Sequence, residues 1–195
     1  MLLSAERIRS RQAETGKAAP RPALTIRLAA LASEAIAYRK VKHMKTVLVL
    51  NGPNLNLLGT REPGIYGVKT IADVEALCRA EAAKYELEAD CRQSNHEGVL
   101  IDWIQEAGGR QAAGELVGAV FNPGAYTHTS LALHDAIKGA HLRLIECHIS
   151  NVHTREEVRH HSFISPAAAG IVVGFGVDGY AVAIHGLHLL AAADS

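Results

Sequence analysis

Aromatic side chains are scarce in this sequence: one Trp, five Tyr and three Phe among 195 residues. Ala, Val, Ile and Leu must therefore fill the interior, and the length suffices for one domain with a substantial core. Cysteine is scarcer still. Cys78, Cys91 and Cys147 form no CxxC pair, which argues against a disulfide framework and for buried thiols in a reducing, cytoplasmic setting. Of the three, only Cys147 has a neighbour, His148, able to favour a thiolate. Long hydrophobic runs are also missing. The best N-terminal candidate, "LTIRLAALASEAIA" (24–37), is broken by Arg27 and Glu34, so it is too short and too charged for a membrane span. It also lacks the uninterrupted apolar centre of a signal peptide. Net charge is zero, with 20 Lys and Arg against 20 Asp and Glu. The charge is unevenly spread. Residues 1–43 hold nine basic side chains and three Glu, a balance of +6 that the rest of the chain offsets. An acidic body with a few clustered arginines does not have the footprint of a nucleic-acid binder. The basic segment 1–43 reads as a flexible extension, added by an upstream start codon if Met44 is the natural beginning; a targeting peptide is the other reading.

From Met44 onward apolar stretches of two kinds alternate. "TVLVLN" (46–51) is β-branched, apolar and uncharged, the mark of a buried strand. "TIADVEALCRAEAAKY" (70–85) has a helical stripe of Ile71, Val74, Leu77 and Cys78, with Thr70 and Asp73 spaced as a capping box. Strands are predicted at 87–93, 116–122, 142–150 and 169–176, and helices at 98–108, 127–139 and 177–193. The third of these four helices is expected to start on a cap near Thr127 and to stop at Gly139. Strands alternating with helices across short connections imply right-handed βαβ units. The expected fold is α/β: a flavodoxin-like, doubly wound, five-stranded parallel sheet, with ligand bound beyond the carboxyl ends of the strands.

The unusual polar residues fall where that rule places a pocket. Asn51 and Asn54 follow the first strand, Asn122 ends the third, and Glu146 to Asn151 end the fourth. Glu146 and His148 are two apart on a strand and so share a face. A carboxylate there fixes the imidazole's tautomer and favours its protonated form, which suits a general acid; alone, such a pair is more often a structural ion pair. The amides of Ile149 and Ser150, just past the strand, are placed to receive a carboxylate. In the loop "TREPGIYG", Arg61 and Tyr66 lie among Gly59, Gly64 and Gly67, which permit lid motion. A guanidinium favours the phenolate, so the two could form an activated base, although an Arg and a Tyr in one loop are usually just solvated. Asn122 and His128 suit hydroxyl groups, with His128 at a helix start favouring the neutral ring. Arg155 and Arg159, four apart on what reads as a short helix, project from one side, with Glu156 and Glu157 solvated. His160 and His161 are adjacent and diverge, without the HxxxH or HxH spacing of a metal site.

Together the stretches "NGPNLNLLGTREPGIYG", "QSNHEG.LIDWI", "NPGAYTHTS.AL.DA", "IECHISNVHTREEVRHHSFISP" and "G.G..GY" resemble type II 3-dehydroquinate dehydratase in order and spacing, from Met44 to the C-terminus. The resemblance implies a flavodoxin-like fold and elimination of water from 3-dehydroquinate in the shikimate or quinate pathway. It implies no metal or organic cofactor, and a homo-oligomer, usually a dodecamer of four trimers. By the same resemblance Tyr66 is the base, Arg61 the lid arginine that stabilises the transition state, and His148 the acid oriented by Glu146. Asn54 helps hold a water facing the enolate. Asn122, His128, Arg159 and the backbone of Ile149 and Ser150 bind substrate, Arg155 is a further lid and active-site arginine, and Asp135 reaches a neighbouring subunit's site. Two features depart from the pattern: His134 stands where relatives often carry arginine, and residues 1–43 have no counterpart.

Rival readings are a metal-dependent hydrolase or lyase on the histidines near the fourth strand, and a non-catalytic flavodoxin-like binding module. A flavin carrier is disfavoured because no Ser/Thr-rich phosphate loop follows the first strand. The pocket motifs contain no lysine, so a Schiff-base mechanism has no candidate.

Overall fold

Strand β1 (Lys45–Asn51) shows why the centre of the sheet forms where it does. Val47 and Val49 turn to one face and Leu48 and Leu50 to the other, and all four are fully buried. A strand apolar on both sides needs cover on both sides. The computed structural model describes residues 44–60 and 69–193. It places β1 between β2 (Leu87–Gln93) and β3 (Leu116–Asn122), followed by β4 (Leu144–His148) and β5 (Gly170–Val173). The order is β2-β1-β3-β4-β5 and every pairing is parallel, the flavodoxin-like doubly wound arrangement.

Helices α1 (Ile71–Ala83) and α4 (Gly179–Ala193) cover the face of Val47 and Val49, using Val74, Cys78, Ala183, Ile184 and Leu187. Helices α2 (Glu97–Ala112) and α3 (Leu131–Gly139) cover the face of Leu48 and Leu50, using Leu100, Ile104, Leu133 and Ile137. The predicted capping box of α1 is present: the Asp73 amide donates to Thr70 Oγ1 at 3.3 Å and the Thr70 amide to Asp73 Oδ2 at 2.8 Å. None of the described helices is long and apolar enough to cross a membrane.

The expected start of α3 is corrected, whereas its expected end at Gly139 is where the helix stops. Residues 124–128 form a separate 3-10 turn, and Ser130 caps the helix by accepting from the Leu133 amide at 2.9 Å. At the other end Gly139 is the last helical residue, and His141 takes the left-handed conformation that turns the chain, with φ 49°. The short helix expected around Arg155 and Arg159 is also absent. Two 3-10 turns, Val152–Thr154 and Glu157–Arg159, flank an extended Arg155 and Glu156. The thiol of Cys147 lies in the α1/α4 core, and burial pushes it up to about 12. It therefore faces away from its neighbour His148 and stays protonated.

One irregularity sets the aim of β3. Thr46 pairs with Leu116 but Val47 pairs with Gly118, so Val117 is an extra residue. Val117 and Val120 then share one face, and Ala119 and Phe121 the other. Gly118 has φ 149°, and a Cβ there would meet the Arg143 carbonyl oxygen at 2.7 Å, so only glycine fits. The bulge brings Asn122 into register beside Asn51, on the α4 side of the sheet.

Candidate active site

The carboxyl ends of β1, β3 and β4 open into one cavity of about 730 Å³, counting its open mouth, a size suited to a small ring compound. It lies at the crossing where β1 and β3 leave the sheet in opposite directions, the switch point of a doubly wound fold. The β1 and β3 loops cross closely. The Gly52 amide donates to the Asn122 carbonyl at 2.8 Å, and a Cβ on Gly52 would lie 2.4 Å from the Pro123 oxygen.

Eight of the residues singled out in the sequence line this cavity: Asn54, Asn122, His128, His148, Ile149, Ser150, Arg155 and Arg159. Leu55, Leu58 and Val152 add an apolar wall that the polar motifs did not indicate. Glu146 sits behind His148. Asp135 is elsewhere, exposed on α3 in a shallow groove with Ile101, Gln105 and Ala132. Arg61 and Tyr66 lie outside the described residues.

Glu146 is fully buried and heavily hydrogen-bonded. His148 Nε2 donates to its Oε1 at 2.8 Å. Thr127 donates to the same oxygen, Ser165 to Oε2, and Ser162 to Oε1 at 3.0 Å. Burial pushes the carboxyl's pKa up, but hydrogen bonds from His148, Ser165 and Thr127 outweigh it and leave the value below the ordinary one. With Nε2 committed to Glu146, Nδ1 is the nitrogen left to exchange a proton with the cavity. The sequence reading gave Thr127 a capping role and Ser162 and Ser165 none. Three hydroxyls among titratable neighbours were the only clue to them, and which carboxylate they meet is a long-range fact.

His128 is fixed in the opposite sense. Its Nδ1 donates to the His161 carbonyl at 2.8 Å, because a carbonyl can only accept. Burial first, and then Arg159, push its pKa down. The neutral ring thus offers Nε2 as an acceptor, suited to a hydroxyl. Burial is the cause, not the helix start expected from the sequence, since His128 ends its 3-10 turn. The Ile149 and His148 carbonyls accept from Gly176 and Gly174 at 2.9 and 3.0 Å, which pins the segment leaving β4.

Arg155 and Arg159 reach the cavity although no helix aligns them. Glu156 lies 3.6 Å from Arg155 Nε and accepts from Arg159 Nε at 3.0 Å. It is exposed, as expected, but it bridges the two guanidiniums instead of standing apart. His160 donates to the Arg155 carbonyl at 2.9 Å, and His161 packs edge-on against Phe163. Neither is arranged as half of a metal pair, and among the described residues no three His, Cys, Asp or Glu side chains converge as a metal site.

Residues 45–188 match the family described as "Dehydroquinase class II". A 3-dehydroquinate dehydratase of Variovorax paradoxus (strain S110) is 71% identical over 144 residues, 74% of this chain and 99% of that protein. One from Marinomonas sp. (strain MWYL1) is 69% identical over 144 residues, 74% of this chain and 96% of that protein. Among solved structures, the type II dehydroquinase of Butyrivibrio crossotus DSM 2876 superposes with a TM-score of 0.70 at 47% identity, covering 75% of this chain and 98% of that one. The type II dehydroquinase of Propionibacterium acnes gives a TM-score of 0.70 at 39% identity, covering 75% and 99%.

Proposed function

Because the chain belongs to the class II dehydroquinases, hydro-lyases of the 3-dehydroquinate dehydratase type, we propose that this cavity carries out trans-elimination of water from 3-dehydroquinate through an enolate. Tyr66, as a tyrosinate held by Arg61, takes the C2 proton next to the C3 ketone. The resulting enolate is stabilised through a water near Asn54. His148 gives its Nδ1 proton to the C1 hydroxyl, which leaves as water while the C1–C2 double bond forms. The substrate carboxylate sits on the Ile149 and Ser150 amides. Asn122, neutral His128 and Arg159 hold ring oxygens, and Arg155 helps close the site. Orientation of this kind replaces a random encounter with a positioned one. The reaction uses no metal and no organic cofactor.

The observation that carries this reading is the His148–Glu146 pair. A buried carboxylate held ionised by three hydroxyls orients one imidazole nitrogen, and the other is left for a cavity lined by Asn122, His128 and two arginines. The deciding experiment is an assay of purified protein on 3-dehydroquinate, following the absorbance of the conjugated enone and the fate of stereospecifically labelled C2 hydrogens. Loss of the C2 hydrogen anti to the departing hydroxyl, with rates unchanged by a chelator, is expected. Syn loss, or chelator-sensitive turnover, would remove the assignment of roles.

The pathway served is the shikimate or the quinate route. The protein works as a homo-oligomer, a dodecamer of four trimers, in which Asp135 completes a neighbouring subunit's site; its exposed position away from its own cavity supports this role. His134, where relatives often carry arginine, donates through Nδ1 to the Phe163 carbonyl at 2.7 Å. Residues 44–195 form the catalytic domain and residues 1–43 an extension to it. Deleting 1–43 should leave kcat and KM within about twofold of the full chain and Tm within a few degrees; a larger loss would give the extension a structural part.

A further inference from the structure

We propose that Tyr180 is a positioning residue for substrate binding, its hydroxyl setting which end of the Asn122 side-chain amide faces the cavity. The inference rests on Asn122 being a substrate-binding residue, as proposed above. Asn51 and Asn122 are register partners at the ends of β1 and β3. They follow Val49 and Val120 by two, so both side chains point toward α4. Tyr180, in the first turn of α4, is fully buried and meets them there.

The direction of each hydrogen bond is determined. The Gly124 backbone N–H lies 3.2 Å from Asn122 Oδ1 and can only donate, so that atom is the amide oxygen. Asn122 Nδ2 therefore faces Tyr180 and donates to its hydroxyl oxygen at 2.9 Å. The hydroxyl has a single proton, which goes to Asn51 Oδ1 at 2.6 Å. Burial pushes the Tyr180 phenol well above its usual range, so the proton stays in place. Asn122 is thus held at both ends of its amide, with one N–H left for the cavity. Take away the phenol oxygen and the amide loses the partner that holds Nδ2. It can then turn its oxygen toward an oxygen of the substrate, a repulsive pairing. Two asparagines side by side carry this arrangement only because the bulge at Gly118 brings Asn122 into phase with Asn51.

A purely structural Tyr180 would make a different prediction, since its ring also packs with Ile184 and Cys147 in the core. Steady-state kinetics on 3-dehydroquinate and thermal melting separate the two, using Tyr180→Phe, Asn122→Ala and the double variant. Tyr180→Phe should raise KM about three- to tenfold, the effect of one neutral hydrogen bond, with kcat within about twofold. That rise should vanish when Asn122 is already Ala, because a residue acting through Asn122 has nothing left to orient. A lowered Tm with unchanged KM, or a KM effect that persists in the Asn122→Ala background, would overturn the proposal. Should Asn122→Ala itself leave KM unaltered, the binding role of Asn122 falls and the proposal with it, a result distinct from failure of Tyr180→Phe alone. If Tyr180→Phe does not fold, Asn51→Ala serves: it keeps the ring but removes the hydroxyl's acceptor, freeing the proton to point at Asn122. The same rise in KM is expected, and an unchanged KM overturns the proposal.

Discussion

Tyr66→Phe should lower kcat by about 10³-fold or more, toward the upper range for loss of a general base, while KM stays within a few-fold. The substitution removes one oxygen and leaves the ring, so the binding groups on β3 and β4 are untouched. Only the step that breaks the C2–H bond loses its partner. A phenol titrates near 10 in water, so a tyrosine base depends on a neighbouring cation that favours its charged form; Arg61 is the residue assigned that task. The pH profile provides a second readout. Activity needs the deprotonated phenol and should rise through its pKa. Arg61→Ala should move that limb to higher pH, because the unassisted phenol holds its proton more tightly. Tyr180 cannot substitute as base. Burial pushes its phenol upward, and its proton is committed to Asn51. Near-normal turnover in Tyr66→Phe would assign proton abstraction to another group.

The strands were legible because burial on both sides leaves a plain mark: Val47 to Leu50 could hardly be anything else. The Glu146–His148 pair was legible for a related reason, since a period of two places both on one face whatever else happens. What packs against that face was not legible. Thr127, Ser162 and Ser165 converge on Glu146 from 19, 16 and 19 residues away, and no local period encodes such a meeting. The same holds for Tyr180, 58 residues from Asn122 and 129 from Asn51. The stretch "HTREEVRHH" misled in the opposite way. Its spacing suits a helix, yet extended backbone at Arg155 and Glu156 splits it, and the arginines are gathered by Glu156 and by the cavity. The bulge at Gly118 leaves only a glycine in a strand as its trace, which a sequence reader has no reason to translate into a change of face.

His148→Ala should lower kcat by at least ~10²-fold, the lower range for loss of a general acid, because the C1 hydroxyl then leaves without a proton. Glu146→Gln tests the pair from behind. Gln has the same shape, but one of its ends is an NH2 group. Three hydroxyls and an imidazole N–H all donate into this position, so at least one donor is left facing another. The expected cost is about 1–3 kcal/mol of stability, that of an unsatisfied buried polar group. The stability gap between wild type and Glu146→Gln should itself depend on pH. The folded pKa of Glu146 lies below its ordinary value near 4.5. Its contribution is therefore fully present above that pH and is lost as pH falls through the folded value. The amide does not titrate, so thermal melts of the two proteins should differ most near neutrality and converge below about pH 4.5. A gap that stays constant down to pH 3 would mean that folding does not shift the Glu146 pKa, and a gap that widens as pH falls would mean that Glu146 is protonated in the folded protein, leaving the oriented imidazole without its anchor.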